Sequence, residues 1–235
     1  MSSRSASPPD VGVIVVAAGA GVRAGPGEPK QFRAVGGVPL LLRALRPFTS
    51  HPAVARVVVT LPTAFVEHPP DWLNGLRGER LTWVAGGATR TESVRAGLAA
   101  LGTTVLLVLV HDAARPFVRR ETVDAVIARA RSGVGAVAAV PVTDTVKEVQ
   151  DGGRVARTVP RERLWRAQTP QGFPRDMLAR AYDRLRQSDA PPTDDAELCE
   201  RAGYPVDVVA DAADNLKVTT AEDFRLAEAL ARDLE

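Results

Sequence analysis

Residues 11–32 read VGVIVVAAGAGVRAGPGEPKQF, and this stretch decides the fold class. Its first six residues include five β-branched apolar side chains, which is typical of a strand buried on both faces of a parallel sheet. The small residues at positions 17–21, AAGAG, allow the backbone to approach a ligand closely with its N–H groups exposed. Because Arg23 and Lys30 add two positive charges, the stretch predicts a strand followed by a polyphosphate-binding loop.

Two common nucleotide motifs fit this loop poorly. A dinucleotide fingerprint at Gly19, Gly21 and Ala24 would need an acidic residue about twenty positions further on, at the end of a second strand, but residues 40–45 are predicted to be helical. A P-loop lysine would be followed by Ser or Thr, and here Gln31 follows. A plain glycine turn with two solvated bases is the remaining alternative. The composition argues against it, because only three residues of the chain are lysine and arginine supplies every other base.

Length and composition limit the classes of protein. The 235 residues fit one α/β domain over residues 11–235, after a Ser/Pro-rich tail at residues 1–10 that is expected to be disordered. The net charge is +2, acids and bases are interspersed, and aromatic residues are few, so the sequence does not indicate a nucleic-acid-binding surface. The single cysteine, Cys199, excludes an internal disulfide and is expected to pack in the core. With neither a signal peptide nor a membrane-spanning apolar run, the expected compartment is the cytoplasm.

A second glycine-rich turn follows the short predicted strand at residues 81–85. Gly86 and Gly87 end this strand, and Thr91, Glu92 and Ser93 are expected to begin the next helix. This motif alone predicts a tight turn and a ligand contact about equally. Thr193 has the pattern of an N-cap for the helix that carries Cys199. Other periodic segments predict strands at 54–61, 105–110, 135–140 and 206–210, and helices at 38–48, 94–101, 121–131, 174–186 and from 221 onward.

A candidate metal ligand follows the most apolar strand of the chain. Residues 105–110 read VLLVLV, and HDAARP comes directly after them. Since ligands bind outside the carboxyl ends of strands in open α/β sheets, Asp112 is expected beside the glycine loop, where its carboxylate could hold a cation that bridges phosphates. The alternative is an aspartate that caps the next turn. His111 is expected to serve hydrogen bonding, outside the mechanism.

The alternation of strands and helices breaks at residues 141–166. VTDTVKEV and RVARTVP alternate around the DGG turn at residues 151–153, as a β-hairpin does. An exposed hairpin leaves unpaired edges that a second copy would cover, so the segment predicts a dimer. Most of the arginines that crowd its return strand are expected to be solvated, and one or two to reach an anion. The arginines of this return strand are Arg154, Arg157, Arg161, Arg163 and Arg166.

The motifs taken together resemble a known family. In order, the chain contains AAGAGVR, PKQF, GGATRTESV, HDAARPF, PVTDTVK, RTVPRERLW, QTPQGF, TDDAEL and NLKVT. This set resembles the 2-C-methyl-D-erythritol 4-phosphate cytidylyltransferases over residues 11 to about 225. Each motif alone is weak, but the ordered set is specific. The resemblance implies a Rossmann-like, doubly wound and mostly parallel sheet, the nucleotide CTP, magnesium or another divalent cation, and a homodimer that exchanges a β-arm at about residues 141–166.

The resemblance also implies roles for single residues. Arg23 and Lys30 would stabilise charge on the α-phosphate and the leaving pyrophosphate, and Asp112 would orient the magnesium ion. The residues implied for the nucleotide are Ala17, Ala18, Gly19, Ala20, Gly21, Gly87, Ser93 and Ala113. Those implied for the polyol phosphate acceptor are Thr145, Arg161, Thr169, Thr193 and Lys217. Arg161, reaching across from the partner's arm, and Lys217 would also be catalytic.

Ala88 departs from the family pattern, because some members carry an acid there. Recognition of the cytosine amine is therefore expected from backbone carbonyls. No serine, cysteine or histidine nucleophile is needed, because the acceptor's own phosphate is the attacking group. The chain ends at Glu235, soon after the last motif, so it is not expected to be a fusion with the next enzyme of the pathway.

Three other functions remain open. A sister group that transfers a cytidylyl group to ribitol 5-phosphate shares the glycine loop, the HDAARP-like segment and the arm, although RTVPRERLW and TDDAEL favour methylerythritol phosphate. A nicotinamide enzyme would need the ribose-binding acid that the loop lacks. A nucleotide sensor without catalysis would not require both Asp112 and Lys217.

Overall fold

A computed structural model describes residues 8–19, 28–186 and 189–233. The strands of this part are β1 (Val11–Val16), β2 (Ala34–Val35), β3 (Val38–Pro39), β4 (Val54–Leu61), β5 (Leu81–Ala85), β6 (Leu107–Asp112), β7 (Gly135–Pro141), β8 (Val146–Val149), β9 (Val155–Val159), β10 (Trp165–Pro174) and β11 (Val206–Ala210). Its helices are α1 (Leu40–Thr49), α2 (Asp71–Asn74), α3 (Arg90–Leu101), α4 (Arg120–Arg131), α5 (Arg175–Arg184), α6 (Asp195–Arg201) and α7 (Ala221–Arg232).

The large sheet of the described part has seven strands in the order β11-β7-β10-β6-β1-β4-β5. The neighbouring pairs from β6 to β5, and the pair β11 and β7, run parallel. β10 runs antiparallel to both of its neighbours, β6 and β7. The strand order and the helices on both faces confirm the predicted doubly wound, mostly parallel α/β fold.

β1 lies inside the sheet and contributes side chains to the cores on both faces. Val13 and Val15 are fully buried in the core that α1 and α4 cover, whereas Ile14 is buried in the core that α3, α5 and α6 cover. α3 packs closely on β1 because Gly97 has no side chain, and a Cβ there would lie 2.5 Å from Ile14 Cγ2. The contact between Ile14 and Gly97 thus holds the middle of α3 against the strand that leads into the glycine loop.

Several predicted element boundaries are wrong. The strand predicted at residues 105–110 is β6, which runs two residues further and includes His111 and Asp112. The predicted helix at residues 38–48 begins only at Leu40, after the short β2–β3 hairpin. α3 starts four residues before its predicted start, because Thr89 is its N-cap and forms a reciprocal capping box with Glu92.

Thr193 is not the N-cap of α6. Asp194 takes that position, and its Oδ1 accepts a hydrogen bond of 2.8 Å from the Glu197 N–H. The Thr193 hydroxyl instead donates to Glu197 Oε2 at 2.7 Å. The expectation for Cys199 is confirmed, since it lies on α6 with 0% of its surface exposed.

β10 is central to the sheet but has no counterpart among the strands predicted from the sequence. Apart from Trp165 and Phe173 its residues are polar or small, and polar and apolar side chains do not alternate along it, yet residues 168–173 are buried. Most of their side-chain polar groups are paired inside the protein: Gln171 Nε2, for example, donates to Asp194 Oδ2 at 2.8 Å. Because hydrogen bonding, and not apolar patterning, permits this burial, hydrophobic periodicity carries no signal for the strand.

The predicted hairpin is present as an arm with its own two-stranded sheet, β8 and β9. Its base is closed where Trp165 pairs with Pro141 and the Val142 N–H donates to the Leu164 carbonyl at 3.0 Å. Val149 and Val155 on the arm are 58% and 53% exposed. Within the described residues, no helix is both long and apolar enough to cross a bilayer.

Candidate functional site

A cleft of about 620 Å³ lies at the carboxyl ends of β1, β5 and β6. β1 and β6 are adjacent and in register, with Val16 opposite Asp112. The Ala113 N–H donates to the Val16 carbonyl at 3.1 Å, so the residues after β6 lie beside the start of the glycine loop. The cleft is lined by Val16, Ala17, Ala18, Gly19, Lys30, Gln31, Gly87, Ala88, Thr89, Arg90, Ser93, Asp112, Ala113, Ala114, Lys217 and Thr219.

The two glycine turns pack directly against each other. A Cβ on Gly86 would lie 2.3 Å from the Ala18 Cβ and 2.8 Å from Ser93 Oγ, so only glycine permits this contact. The Gly87 N–H donates to Ser93 Oγ at 3.1 Å, and that hydroxyl donates to the Thr89 carbonyl at 2.9 Å. The N-terminal turn of α3 is therefore held against the first loop, and together they form one wall of the cleft.

Asp112 forms ion pairs with two cations of the cleft. Its Oδ2 lies 2.7 Å from Lys217 Nζ, and its Oδ1 lies 3.5 Å from Arg90 Nε. Burial would by itself raise the pKa of this carboxyl, but the charges of Lys217 and Arg90 outweigh it and hold the pKa well below its usual range. The cleft thus contains a carboxylate that stays ionised at every physiological pH.

Both lysines of the cleft are positioned by the segment ahead of α7. The Val218 N–H donates to the Ala114 carbonyl at 2.8 Å, and Lys30 Nζ donates to the Val218 carbonyl at 3.2 Å. Asn215 is fully buried, and its Nδ2 donates to the Thr169 carbonyl at 2.8 Å. This segment therefore crosses the carboxyl edge of the sheet and brings Lys217 to Asp112.

His111 is part of the floor beneath Asp112. Its Nε2 lies 3.0 Å from the Arg115 carbonyl, which can only accept, so Nε2 carries the proton. Its Nδ1 then accepts from the Thr169 hydroxyl at 3.0 Å, and that hydroxyl accepts from the Asp112 N–H at 3.0 Å. Burial lowers the pKa of His111 to about 4, so the ring is neutral and fully hydrogen-bonded. His111 lies inside the buried strand β6, whereas the predicted strand ends one residue before it.

Comparison with known proteins decides the family. The family described as 2-C-methyl-D-erythritol 4-phosphate cytidylyltransferase matches residues 11–233. The chain belongs to this family. It is thus a member of the nucleotidyltransferases, and the resemblance inferred from the motifs is confirmed.

Relatives and solved structures agree over nearly the whole chain. The 2-C-methyl-D-erythritol 4-phosphate cytidylyltransferase of Frankia casuarinae is 47% identical over 223 residues, covering 94% of this chain and 81% of the relative. That of Syntrophus aciditrophicus is 40% identical, covering 97% and 98%. The crystal structure of the Thermus thermophilus enzyme superposes with a TM-score of 0.79 at 39% identity, covering 95% of this chain and 99% of that one.

The cleft brings together most of the residues that the motifs of a cytidylyltransferase suggest. Ala20, Gly21 and Arg23 lie outside the described residues, so their roles stay predictions. The predicted site residues found in the cleft are Ala17, Ala18, Gly19, Lys30, Gly87, Ser93, Asp112, Ala113 and Lys217.

Four predicted acceptor residues do not line the cleft of a single chain. Thr145 and Arg161 lie exposed on the arm, where the Arg161 guanidinium donates to the Thr143 carbonyl. Thr193 is exposed beside α6. Thr169 is buried beneath Asp112, and its hydroxyl is engaged on both sides by Asp112 and His111.

Arg90 is a residue of the cleft that was not predicted from the sequence. It is the first residue of α3, where a cation is unfavourable because the N–H groups of the first turn already carry partial positive charge. An arginine at this position in GGATRTESV indicates that acidic residues from elsewhere in the fold compensate its charge, and the structure contains them. Arg90 is compensated by two carboxylates, Asp112 and, at 2.7 Å, Asp195.

The donors of the cleft suit a cation that is held mainly by phosphate. Across the described residues, no group of three or more His, Cys, Asp or Glu side chains could hold a metal ion. Asp112 nevertheless offers one permanently ionised carboxylate at the rim of the cleft. Magnesium typically takes one or two protein carboxylates and completes its octahedron with water and phosphate oxygens, so this single ligand fits magnesium bound with a nucleotide.

Proposed function

We propose that this chain transfers the cytidylyl group of CTP to 2-C-methyl-D-erythritol 4-phosphate. An oxygen of the acceptor phosphate attacks the α-phosphorus of CTP, the bond from that phosphorus to the β-phosphate oxygen breaks, and pyrophosphate leaves. The products are 4-diphosphocytidyl-2-C-methyl-D-erythritol and pyrophosphate. The observation that carries the proposal is the ionised Asp112 between Lys217 and Arg90, beside a glycine loop, in a chain of this family.

The protein's own groups supply charge and position, not a nucleophile. His111 is neutral, and both of its ring nitrogens are hydrogen-bonded. Burial raises the pKa of Cys199 to about 12 and keeps its thiol protonated in the core. Because the attacking phosphate is already anionic, fixed cations and backbone N–H groups are what the reaction requires.

The triphosphate would lie along the loop that begins at Ala17, with Lys30 against the charge that develops on the leaving pyrophosphate. Arg23 would act at the same stage. Asp112 would hold magnesium, which when bound supplies further neutralisation of the phosphates. Cytosine would lie against Gly87 and Ser93. Backbone groups there would bind the cytosine amine in place of the acidic residue that some family members carry at position 88.

The acceptor site would be completed by a second copy of the chain. Lys217 faces the cleft from within one chain, but Thr145 and Arg161 lie on the exposed arm. A homodimer that exchanges arms would bring these two residues to the partner's cleft and cover the exposed edges of β8 and β9. Thr169 would support the site from beneath by fixing Asp112, and Thr193 would line its outer side.

Pyrophosphate release, measured with each of the four nucleoside triphosphates and two acceptors, tests this function. We expect release that depends on CTP, on the acceptor and on a divalent cation. With methylerythritol phosphate, kcat/KM should exceed that with ribitol 5-phosphate, roughly ten- to two-hundredfold if only the contact with the methyl branch differs. A ratio at or below unity would replace the acceptor with ribitol 5-phosphate, and CTP binding without release would make the chain a nucleotide sensor.

A further inference from the structure

Behind Arg90 lies a buried carboxylate that the proposed chemistry does not use. Asp195 is the first residue of α6 and is 1% exposed. Its Oδ2 accepts from Arg90 NH1 at 2.7 Å, and its Oδ1 accepts from the Tyr182 hydroxyl at 2.6 Å. The Asp195 N–H donates to Gln171 Oε1 at 3.1 Å, which ties the residue to the buried strand β10.

A carboxylate buried to this extent is costly unless it is paired and hydrogen-bonded. Asp195 meets both conditions, because one oxygen faces a guanidinium and the other a phenol. Burial and the neighbouring Asp195 raise the pKa of Tyr182, so its hydroxyl stays a donor. The orientation of the Asp195 carboxylate is therefore fixed on both sides, and Arg90 is held by a rigid partner.

Arg90 connects this buried carboxylate to the cleft. Its NH1 binds Asp195, while its Nε lies 3.5 Å from Asp112 Oδ1. The other oxygen of Asp112 is held by Lys217, whose side chain is 43% exposed and hence less constrained. Of these two cations that hold Asp112, Arg90 is the one anchored in the protein interior through a second, buried ion pair.

We propose that Asp195, assisted by Tyr182, is a positioning residue that fixes the Asp112 carboxylate through Arg90. The inference rests on the proposed function, in which Asp112 holds the magnesium ion of the nucleotide complex. Without Asp195, Arg90 loses its anchor and the Asp112 carboxylate can rotate about its pair with Lys217. Partners behind a metal ligand typically contribute tenfold to a hundredfold to metal affinity or activity when they fix its orientation.

The test compares Asp195→Asn and Tyr182→Phe with the matched control Glu200→Gln, an exposed acid on the same helix. We expect Asp195→Asn to raise the magnesium concentration that gives half-maximal rate, and to weaken magnesium-dependent CTP binding in calorimetry without acceptor, each roughly ten- to a hundredfold. Tyr182→Phe removes only a hydroxyl, so a smaller change in the same direction is expected. Glu200→Gln should match the wild type in both measurements.

Thermal unfolding separates positioning from stability. If Asp195 and Tyr182 only stabilise the fold, both variants will have a lower Tm but wild-type magnesium dependence well below that Tm, and the proposal is overturned. If Asp195→Asn does not fold, Tyr182→Phe decides by the same two measurements. A wild-type protein that binds CTP with magnesium but releases no pyrophosphate would refute the proposed function, whereas the calorimetric comparison would still decide the role of Asp195.

Discussion

Lys217 Nζ lies 2.7 Å from Asp112 Oδ2 and joins the segment ahead of α7 to the end of the central strand β6. Each partner is held in place by a further hydrogen bond. Asn215 fixes the segment that carries Lys217, and the Thr169 hydroxyl accepts from the Asp112 N–H. The carboxylate is buried and the ammonium is half-exposed, so the positively charged end of this pair is the one that faces solvent at the mouth of the cleft. An anionic acceptor would meet that charge first.

Removal of this ammonium should affect the acceptor more than the nucleotide. Lys217→Met is expected to lower kcat/KM for the acceptor about a hundredfold, because a preorganised charge contact to the reacting phosphate is lost. CTP affinity without acceptor should fall by a smaller factor, because Arg90 still pairs with the other oxygen of Asp112. Arg225→Met is the control, since it removes an exposed cation on α7 that pairs only at the surface with Glu222. Unchanged acceptor kinetics would remove Lys217 from the site.

Lys30 is expected to act on the transition state. Lys30→Ala should lower turnover roughly a hundredfold or more and leave the CTP dissociation constant within a few-fold of the wild type. Single-turnover rates and calorimetric CTP titrations measure the two effects separately. Arg23→Ala should behave in the same way. A variant with wild-type turnover would contradict the assigned role of the residue it replaces.

The contact between the two glycine turns should be intolerant of a methyl group. Gly86→Ala places a Cβ 2.3 Å from the Ala18 Cβ, which forces the nucleotide loop and the start of α3 apart. We expect a CTP affinity at least about tenfold weaker, because the backbone donors lose their mutual geometry. Gly75→Ala is a suitable control, as its Cβ would lie at an ordinary 3.6 Å from its nearest neighbour, the Asp71 carbonyl oxygen. Equal affinities for the two variants would exclude this effect.

His111 should make stability depend on pH. Burial lowers its pKa from 6.5 to about 4 in the folded protein. Between these values the unfolded chain binds more protons, so the free energy of unfolding should decrease as the pH falls from about 6.5 to about 4, by up to about 1.4 kcal/mol per pH unit.

Urea denaturation at a series of pH values measures this effect. His111→Asn removes the titrating ring and should flatten the profile over that interval. Replacement of the exposed His68 by Asn should leave the slope unchanged. Parallel profiles for the wild type and His111→Asn would show that His111 is not the titrating group.

Arm exchange predicts complementation between inactive subunits. Lys30→Ala and Arg161→Ala proteins should each be inactive as homodimers, but a mixed dimer would contain one intact site, built from the Lys30 of one subunit and the Arg161 of the other. Equal mixing with free exchange should therefore restore about a quarter of wild-type activity. The wild type should sediment as a dimer. A fully active monomer, or a mixture without activity, would refute the shared site.

The parts of the fold that are coded locally could be predicted from the sequence. β1 and its loop follow from an apolar run that ends in small residues, and the position of Asp112 at the rim follows because parallel strands end on the same edge of a sheet. Arg90 could not be placed in this way. Its partners Asp112 and Asp195 come from distant parts of the chain, and only tertiary structure brings them together.

Polar burial explains the other differences from the predicted elements. β10 carries Gln168, Thr169 and Gln171 into the interior, where side-chain hydrogen bonds replace apolar contacts. The start of α3 and the N-cap of α6 differ from the predictions because Thr89 and Asp194 each lie among several residues able to cap. In both cases the choice among similar polar side chains is made by the surrounding packing, which the local sequence does not encode.

The closed base of the arm makes it a module that can change independently. Trp165 of β10 pairs with Pro141 of β7 at the base of the arm. This pair holds the two strands together where the chain leaves the large sheet. The segment of the arm beyond this pair can be lengthened, shortened or replaced without opening the large sheet. If two copies associate through the arm, as proposed, changes in the arm would alter which copies associate while the strand that carries Thr169 beneath Asp112 stays in place. Under the proposed arm exchange, swapping arms between related chains would be a direct way to engineer dimers of chosen composition.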